Sequence, residues 1–219
     1  MVAGGSGRRF GGLKQFLPLA GIPVVAWSVR AARSVADGVV LVVPLAATAG
    51  DGLPRPGCTG DAALGAEIVV AGGATRAGSV RAGLDAVPEE AAIVVVHDAV
   101  RPLASAELFG AVVDLVRTGG VDGAVPVIPV ADTLKRVVEN RVVATVDRDD
   151  LVAIQTPQAF AADALRTAHL NGGEATDDAG LLEAAGLLVG TVPGDPRNLK
   201  LTRPEDLALA EAYLSGAAR

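Results

Sequence analysis

The chain has 219 residues, of which half are hydrophobic and one fifth are charged. This composition can fill the core of one large α/β domain and excludes an intrinsically disordered scaffold. The formal net charge of −6 argues against general nucleic-acid binding, which uses a basic face, although a local basic cluster could still attract a small anionic substrate.

Short runs rich in β-branched residues alternate with amphipathic stretches along most of the chain. The runs predict strands at Val39–Val43, Ile68–Val70, Ile93–Val96, Ala124–Val127, Val142–Val146 and Leu188–Val192. The amphipathic stretches predict helices at Pro23–Val35, Arg76–Val87, Ser105–Thr118, Ala161–His169, Asp177–Ala185 and Pro204–Ser215. This alternation indicates an α/β fold with a mostly parallel sheet and helices on both faces. Ligands of such sheets bind at the carboxyl ends of the strands.

Two segments depart from the alternation. Ala46–Gly65 is rich in Gly, Pro and Ala and predicts a loop or an irregular helix. Pro129–Asp150 carries many charges and no helix that returns to the sheet, so we expect a projecting hairpin or arm on a single domain spanning 1–219. At the helix starts, the sequence Thr202–Glu205 has the pattern of a capping box, and Ser105 and Thr176 are expected to be N-caps.

The N-terminal segment combines glycines with basic residues. Its candidate phosphate-binding glycines are Gly4, Gly5 and Gly7. Glycine lets backbone amides approach a phosphate closely, and Arg9 and Lys14 would add fixed positive charge. The spacing excludes a Walker A loop, because Arg8 stands where that motif needs lysine, and a dinucleotide fingerprint, because Phe10 replaces a glycine. The alternative is a flexible, solvated tail.

Asp98 closely follows the apolar run Ile93–Val96. A carboxylate at the carboxyl end of a buried strand lies where α/β enzymes place metal or substrate ligands. Magnesium commonly binds through one or two carboxylates together with phosphate oxygens, which suits a lone Asp98. The alternative is that Asp98 caps the next turn and pairs with Arg101. A glycine-rich turn at 72–79, which contains Gly73, Arg76 and Ser79, could line a base pocket with backbone groups.

Four further polar motifs are, taken singly, more typical of structural roles: Asp132–Arg136, Thr145–Arg148, Gln155–Gln158 and Asn198–Lys200. His97 and His169 are the only histidines, and neither has zinc-ligand spacing to the other or to Cys58. We expect His169 to lie on the surface of its helix. The sequence contains no Gly-x-Ser-x-Gly motif, which argues against a serine hydrolase.

The expected compartment is the cytoplasm. Cys58 is the single cysteine, so no intrachain disulfide can form, as is usual in a reducing compartment. The sequence lacks both the apolar core of a signal peptide and an apolar run of about 18 residues, so we expect no membrane association.

Taken together and in this order, several motifs resemble the 2-C-methyl-D-erythritol 4-phosphate cytidylyltransferases of the non-mevalonate isoprenoid pathway. The matching segments are AGGSGRRF, LKQFLPLAGIPV, GGATRAGSVRAGL, VHDAVRP, DTLKRV, TVDRDDLVAIQTPQAF, TDDAGLLEAAG and NLKLTRPEDLALAEAYL. They span the chain from Ala3 to Leu214, and an ordered set of motifs is far more specific than one glycine loop.

The resemblance implies a Rossmann-like nucleotidyltransferase domain with an arm at about 129–150 that reaches into a second subunit of a homodimer. Its implied ligands are Mg²⁺, CTP and methylerythritol phosphate. The implied catalytic residues are Arg9, Lys14, Arg148 and Lys200. The implied nucleotide-binding residues are Gly4, Gly5, Gly7, Gly73, Arg76 and Ser79. The implied substrate-binding residues are Asp98, also the metal ligand, with Arg101, Thr133, Thr156 and Thr176. Thr133 and Arg148 would serve the neighbouring subunit's site.

Two other functions remain open at this point. A ribitol-5-phosphate cytidylyltransferase would share the fold and differ in the polyol phosphate, although Thr133–Arg136 and Arg148–Gln158 favour methylerythritol phosphate. A non-catalytic nucleotide-binding relative would keep the fold without turnover. The presence of Lys14, Asp98 and Lys200 argues against that second alternative.

Overall fold

The computed structural model describes residues 1–5, 10, 12–44, 54, 56–58, 63–170 and 175–216. Its helices are α1 (Val24–Arg33), α2 (Arg76–Leu84), α3 (Ala106–Thr118), α4 (Ala162–Leu170), α5 (Asp178–Ala184) and α6 (Glu205–Leu214). Its strands are β1 (Pro18–Leu19), β2 (Ile22–Pro23), β3 (Val40–Val43), β4 (Ile68–Ala71), β5 (Ile93–Val96), β6 (Gly123–Pro129), β7 (Leu134–Val138), β8 (Arg141–Val146), β9 (Val152–Ile154), β10 (Gln158–Ala161) and β11 (Val189–Pro193). A short 3₁₀ helix spans Lys14–Phe16.

Each of the six predicted strands and six predicted helices has a counterpart in this structure. The predicted loop at 46–65 lies largely outside the described residues. Within the part of the chain that the structure describes, no helix combines the length and the apolar character needed to cross a bilayer.

The central sheet is mostly parallel, as the sequence predicts. β3 pairs with β4 and β6 pairs with β11, both in parallel. Two strands are exceptions, β10 and the short strand β9, and β10 lies antiparallel between β5 and β6. The short strand β9 also pairs antiparallel with β6, nearer its carboxyl end and on the same edge as β10. Two strands, β10 and then β9, therefore pair in succession along one edge of β6. The sequence did not predict β10, because four residues without a β-branched side chain give too little pattern.

Residues Met1–Ala3 join the two halves of the sheet. Val2 forms parallel bridges to Val42 in β3 and to Asp98 just after β5. The backbone N–H of Val2 donates to the carbonyl of His97 at 2.8 Å, and that of Ala3 donates to the carbonyl of Val42 at 2.8 Å. The glycines that follow Ala3 are thereby placed at the carboxyl ends of β3 and β5.

Helices cover both faces of the sheet. Because successive side chains of a strand point to opposite faces, Leu41 and Val43 of β3 pack in one cluster with α1 and α3, around Val29 and Phe109. A second cluster on the other face joins β5 and β10 to α2, α4 and α5, with Phe160 fully buried in it. The expected three-layer arrangement is therefore confirmed.

The arm is a two-stranded hairpin. β7 and β8 pair antiparallel, and Glu139 and Asn140 of the connecting turn both have positive φ, which matches the right-handed twist of a tight hairpin. Nearly all of its residues are exposed, including valines that are more than half exposed: Val137, Val138, Val142 and Val143.

Two of the three predicted helix caps need correction. Ser105 caps α3 as expected, since its hydroxyl accepts from the N–H of Leu108. The cap of α5 is Asp177 rather than Thr176, because the Asp177 carboxylate accepts from the N–H of Gly180. At α6 the Asp206 carboxylate, and not Glu205, accepts from the backbone N–H and the hydroxyl of Thr202. At α5 a carboxylate outcompetes threonine as the acceptor, because hydrogen bonds to an ionised group are the stronger ones.

Candidate active site

Five chain segments meet at the carboxyl edge of the sheet and enclose a cleft of about 410 Å³. They are the start of α2, the loop after β5, the β9–β10 connection and the segments flanking α5 and α6. The cleft is lined by Arg76, Asp98, Arg101, Ile154, Gln155, Thr156, Gln158, Thr176, Asp177, Gly180, Glu183 and Lys200. Six of the sequence-predicted site residues are therefore brought together: Arg76, Asp98, Arg101, Thr156, Thr176 and Lys200.

Asp98 is the electrostatic centre of this cleft. Nζ of Lys200 lies 2.6 Å from its Oδ2, and Nε of Arg76 lies 3.8 Å from its Oδ1. Burial on its own would raise the pKa of Asp98, but Lys200 and then Arg76 outweigh burial and hold the pKa below its ordinary value. Asp98 is therefore ionised at neutral pH. The alternative prediction, a pair between Asp98 and Arg101, is not the arrangement found, because Arg101 donates to the carbonyl of Asn198.

A buried hydrogen-bond network fixes the backbone of Asp98. Its N–H donates to Oγ1 of Thr156 at 3.1 Å, and that hydroxyl lies 3.1 Å from Nδ1 of His97. The other ring nitrogen of His97 lies 3.2 Å from the carbonyl of Arg101. Burial lowers the pKa of His97 to about 3, so the ring is neutral and accepts the Thr156 hydrogen at Nδ1. Thr156 thus positions Asp98 as well as lining the cleft.

Gln155 and Asn198 are fully buried and tie the Lys200 loop to the β9–β10 connection. Nδ2 of Asn198 donates to the carbonyl of Thr156 at 2.9 Å, and Nε2 of Gln155 donates to the carbonyl of Asp195 at 2.8 Å. Arg101 closes this network by donating to the Asn198 carbonyl at 2.7 Å. The sequence marked both polar motifs and assigned Thr156 and Lys200 to the site, but it gave Gln155 and Asn198 no role.

The turn that precedes α2 is tightly packed. The hydroxyl of Thr75 caps the helix by accepting from the N–H of Gly78. The buried hydroxyl of Ser79 donates to the carbonyl of Thr75 at 3.0 Å. A Cβ on Gly73 would lie 2.8 Å from the backbone carbon of Gly78, so only glycine fits there without a backbone shift. Ser79 shapes the predicted nucleotide loop through its hydroxyl, which hydrogen-bonds to the backbone carbonyl of Thr75.

The N-terminal glycine segment is anchored by a side chain that the sequence did not single out. Nε2 of the buried Gln15 donates to the carbonyl of Ala3 at 2.7 Å and to that of Gly5 at 3.0 Å. A Cβ on Gly4 would lie 3.0 Å from Oγ of Ser79, so the two predicted nucleotide loops are in contact. Gly7 and Arg9 lie outside the described residues.

Lys14 connects this segment to the Lys200 loop. Its Nζ donates to the carbonyl of Leu201 at 2.5 Å and lies 5.7 Å from the centre of the Phe10 ring. The side chain of one predicted catalytic lysine, Lys14, therefore contacts the segment that carries the other, Lys200.

Thr133 and Arg148 lie elsewhere. Both line a second cleft, of about 450 Å³, within the arm, together with Thr145, Val146, Asp147 and Asp149. None of these residues lines the cleft around Asp98. The guanidinium of Arg148 donates to the carbonyl of Ala131. The prediction that Thr133 and Arg148 serve another subunit's site stays a prediction.

Arg76 contacts a buried pair of side chains, Asp178 and His169, that the sequence did not predict. Its Nη1 lies 2.8 Å from Oδ2 of Asp178, whose Oδ1 lies 2.9 Å from Nε2 of His169. The expectation that His169 lies on the surface is wrong, because α4 turns this side chain towards α5 and only 4% of the residue is exposed. A short helix carries too few residues to show from sequence which face it buries.

A divalent cation would be held by Asp98. The carboxylate lines the cleft and is ionised at neutral pH, and Mg²⁺ prefers oxygen ligands of this kind. In the part of the chain that the structure describes, no three His, Cys, Asp or Glu residues are grouped to form a metal site. Mg²⁺ that keeps most of its coordination for phosphate oxygens and water needs no such group.

Comparisons with known proteins agree with one another. A family model described as 2-C-methyl-D-erythritol 4-phosphate cytidylyltransferase matches residues 1–216. The curated cytidylyltransferase of that name from Frankia casuarinae is 43% identical over 218 residues, which cover 97% of this chain and 79% of that protein. The crystal structure of the Thermus thermophilus enzyme superposes with a TM-score of 0.79 at 35% identity, covering 94% of this chain and 96% of that one.

Some relatives are longer. A bifunctional IspD/IspF enzyme of Nitratidesulfovibrio vulgaris is 42% identical over 224 residues, which cover 97% of this chain but 56% of that enzyme. The chain thus spans about half the length of this bifunctional relative.

Proposed function

Because the chain belongs to the 2-C-methyl-D-erythritol 4-phosphate cytidylyltransferase family, we propose that it transfers the CMP group of CTP to 2-C-methyl-D-erythritol 4-phosphate and releases pyrophosphate. The products are 4-diphosphocytidyl-2-C-methyl-D-erythritol and pyrophosphate. The observation that carries the proposal is the convergence of Arg76, Lys200 and Asp98 in one cleft, beside the glycine segments that start at Gly4 and Gly72.

The reaction is an in-line displacement at phosphorus. A phosphate oxygen of the polyol phosphate attacks the α-phosphorus of CTP, a new P–O bond forms, and the bond to the pyrophosphate oxygen breaks. Two anions must approach each other, and negative charge develops on the α-phosphoryl oxygens. Positioning and fixed positive charge can therefore supply most of the catalysis without a covalent enzyme intermediate.

The residues divide by their place around the cleft. The backbone amides of the segments at Gly4 and Gly73 would bind the nucleotide, with Arg76 at its phosphates. Lys14 contacts the backbone next to Lys200, and the side chain of Lys200 contacts Asp98, so both lysines would stabilise the developing charge. Thr156 and Thr176 also line the cleft and would contact the polyol phosphate, together with Arg101.

Mg²⁺ is proposed as the cofactor, and Asp98 would hold it. When bound, it would neutralise charge on the triphosphate and polarise the α-phosphoryl group. The Asp98 carboxylate also keeps Lys200 and Arg76 directed into the cleft.

We also propose that the chain acts as a homodimer through the arm. Support comes from the arm's half-exposed valines and from the position of Thr133 and Arg148, which line no part of the cleft around Asp98. A second copy that inserts its arm would bring these side chains to the first copy's cleft. The cytoplasm is the proposed compartment, on the basis of the single cysteine, with neither nucleic acid nor membrane as a partner.

Pyrophosphate release from purified protein with CTP and Mg²⁺ tests the reaction and the substrate. We expect a higher kcat/KM with methylerythritol 4-phosphate than with ribitol 5-phosphate, as the named relatives favour. Lys200→Ala should lower kcat about a hundredfold, corresponding to roughly 3 kcal/mol of transition-state stabilisation. Arg117→Ala, which removes an exposed cation from α3, is the control and should leave the rate unchanged. CTP binding without pyrophosphate release would indicate a non-catalytic relative.

A further inference from the structure

Arg76 is held between two carboxylates from different elements. Its Nη1 lies 2.8 Å from Asp178 in α5, and its Nε lies 3.8 Å from Asp98 after β5. Behind Asp178, Nε2 of His169 in α4 lies 2.9 Å from the second carboxylate oxygen. Arg76 and Asp98 line the cleft, whereas Asp178 and His169 do not. A His–Asp pair therefore stands behind an arginine of the cleft.

The pair is almost completely buried. Asp178 is 1% exposed and His169 is 4% exposed. Among the described residues, no side chain donates a well-directed hydrogen bond to Oδ2 of Asp178, so the ion pair with Arg76 balances the charge of that oxygen. Taking a carboxylate out of water is costly, and a pair that only filled the core could be replaced by apolar side chains at little loss. The free-energy cost of burying the Asp178 carboxylate is explained if the pair orients Arg76.

The electrostatics of Arg76 agree with this arrangement. Burial on its own would lower the pKa of the guanidinium, but Asp178 and then Asp98 outweigh burial and raise it. Two carboxylates on different sides also restrict the side chain to one orientation. An arginine that is already oriented loses less conformational freedom when it contacts a phosphate.

We propose that Asp178 and His169 are positioning residues that orient the Arg76 guanidinium for the phosphates of the bound nucleotide. The inference rests on the proposed function, because it assumes that CTP occupies the cleft. His169 fixes the carboxylate of Asp178, and Asp178 fixes Arg76. Neither residue contacts the substrate.

A charge argument gives the opposite expectation and makes the proposal falsifiable. The two carboxylates, Arg76 and Lys200 sum to zero formal charge. Asp178→Asn would leave one additional positive charge beside the triphosphate, so simple attraction predicts tighter CTP binding. Positioning predicts weaker binding, because Arg76 would no longer be held from the α5 side.

The experiment measures CTP binding by calorimetry and the KM for CTP in steady state. For Asp178→Asn we expect both the Kd and the KM to rise about tenfold, as is usual when a supporting partner of a binding side chain is removed. His169→Gln keeps a donor group, and we expect a rise in the same direction that is smaller. An unchanged or lower Kd in both variants would overturn the proposal.

Two controls separate positioning from loss of stability. Leu165→Ala removes a fully buried side chain of α4 in the same apolar cluster and should lower stability while leaving the KM for CTP within about twofold of the wild type. In an Arg76→Ala background, Asp178→Asn should have no further effect on the KM, because its effect passes through Arg76. Additive effects of the two substitutions would contradict the proposal.

Failure of the proposed function gives a different result. Wild-type protein that neither binds CTP nor releases pyrophosphate would contradict the reaction itself. Active wild-type protein with unaffected Asp178 and His169 variants would contradict only the positioning role.

Discussion

Asp98 shows how one buried charge can organise a site for anions. Its carboxylate is surrounded by cations, and its backbone is fixed by Thr156 and the neutral His97. Because Lys200 and Arg76 are both directed to this carboxylate, they stay in the cleft instead of extending into water. The same ion pairs make the ionised form of Asp98 favourable in the folded state, so folding stability is linked to its titration.

This linkage predicts how the free energy of unfolding depends on pH. The pKa of Asp98 is lowered from its ordinary value of 3.8 on folding, so its contribution to stability is fully present above that value and is lost as pH falls through the lower folded-state pKa. We expect Asp98→Asn to unfold at lower urea concentration, with a free-energy difference from wild type that is constant at neutral pH and shrinks below about pH 4. Urea titrations across pH 3 to 7 measure it, and a difference that grows in acid would contradict the assignment.

The sequence was enough to place Asp98 in the site, but it was not enough to place Asp178 behind Arg76. A carboxylate directly after a buried strand can lie at only one edge of the sheet, so its position in a site follows from topology. Asp178 and His169 lie in short helices whose buried faces depend on how α4 and α5 pack together. Gln15 and Asn198 escaped prediction for a similar reason, because their hydrogen-bond acceptors are backbone carbonyls distant in sequence.

At the scale of elements, the start of α2 depends on close backbone contact. The turn at Gly72–Thr75 folds back onto Gly78, and the hydroxyl of Ser79 lies in the gap between this turn and the N-terminal glycines. Such packing holds two nucleotide loops at fixed separation. Glycine is needed because a side chain would separate the backbones.

A matched pair of glycine substitutions tests this packing. The Cβ of Gly73→Ala would lie 2.8 Å from a backbone carbon, so we expect a loss of about 1–3 kcal/mol in stability and a higher KM for CTP. Gly110 lies within α3, and a Cβ there would meet nothing within 4 Å. Gly110→Ala should therefore raise stability by about 0.5–1 kcal/mol and leave the KM unchanged. Thermal unfolding and steady-state kinetics measure both, and a Gly73→Ala protein with wild-type KM would contradict the packing argument.

The sequence predicted elements best where their pattern was long. The β-branched runs of β3 and β5 and the amphipathic stretch of α3 were predicted within two residues. β10 was missed because its four residues look like a polar turn followed by a helix. The antiparallel insertion of β10 between two strands that run the same way is a long-range pairing, which no local pattern encodes.

At the scale of the whole molecule, the predicted site residues that line a cleft in the described structure lie in two separate groups. One group surrounds Asp98, and the other, Thr133 and Arg148, lies in the exposed arm. The proposed homodimer would reunite them, with each arm completing the partner's cleft. Symmetric pairing of this kind makes both sites equivalent.

Mixing two inactive variants tests whether the arm acts on a second subunit. Lys200→Ala removes a cation from the cleft, and Arg148→Ala removes one from the arm. If each site combines one chain's cleft with the other chain's arm, mixed dimers contain one intact site. We expect the mixture, after subunit exchange, to release pyrophosphate much faster than either variant does alone. A mixture as inactive as its components would contradict the shared site, and sedimentation of the wild type as a monomer would contradict the dimer.

The central claim is transfer of the CMP group, and following the α- and γ-phosphates of CTP tests it most directly. Wild-type protein is incubated with methylerythritol 4-phosphate, Mg²⁺ and CTP that carries a radioactive label at the α-phosphorus or, in a parallel reaction, at the γ-phosphorus. The account predicts that the α label appears in a diphosphocytidyl polyol and the γ label in pyrophosphate. A γ label in the polyol product, or CTP left intact by protein that binds it, would contradict the account.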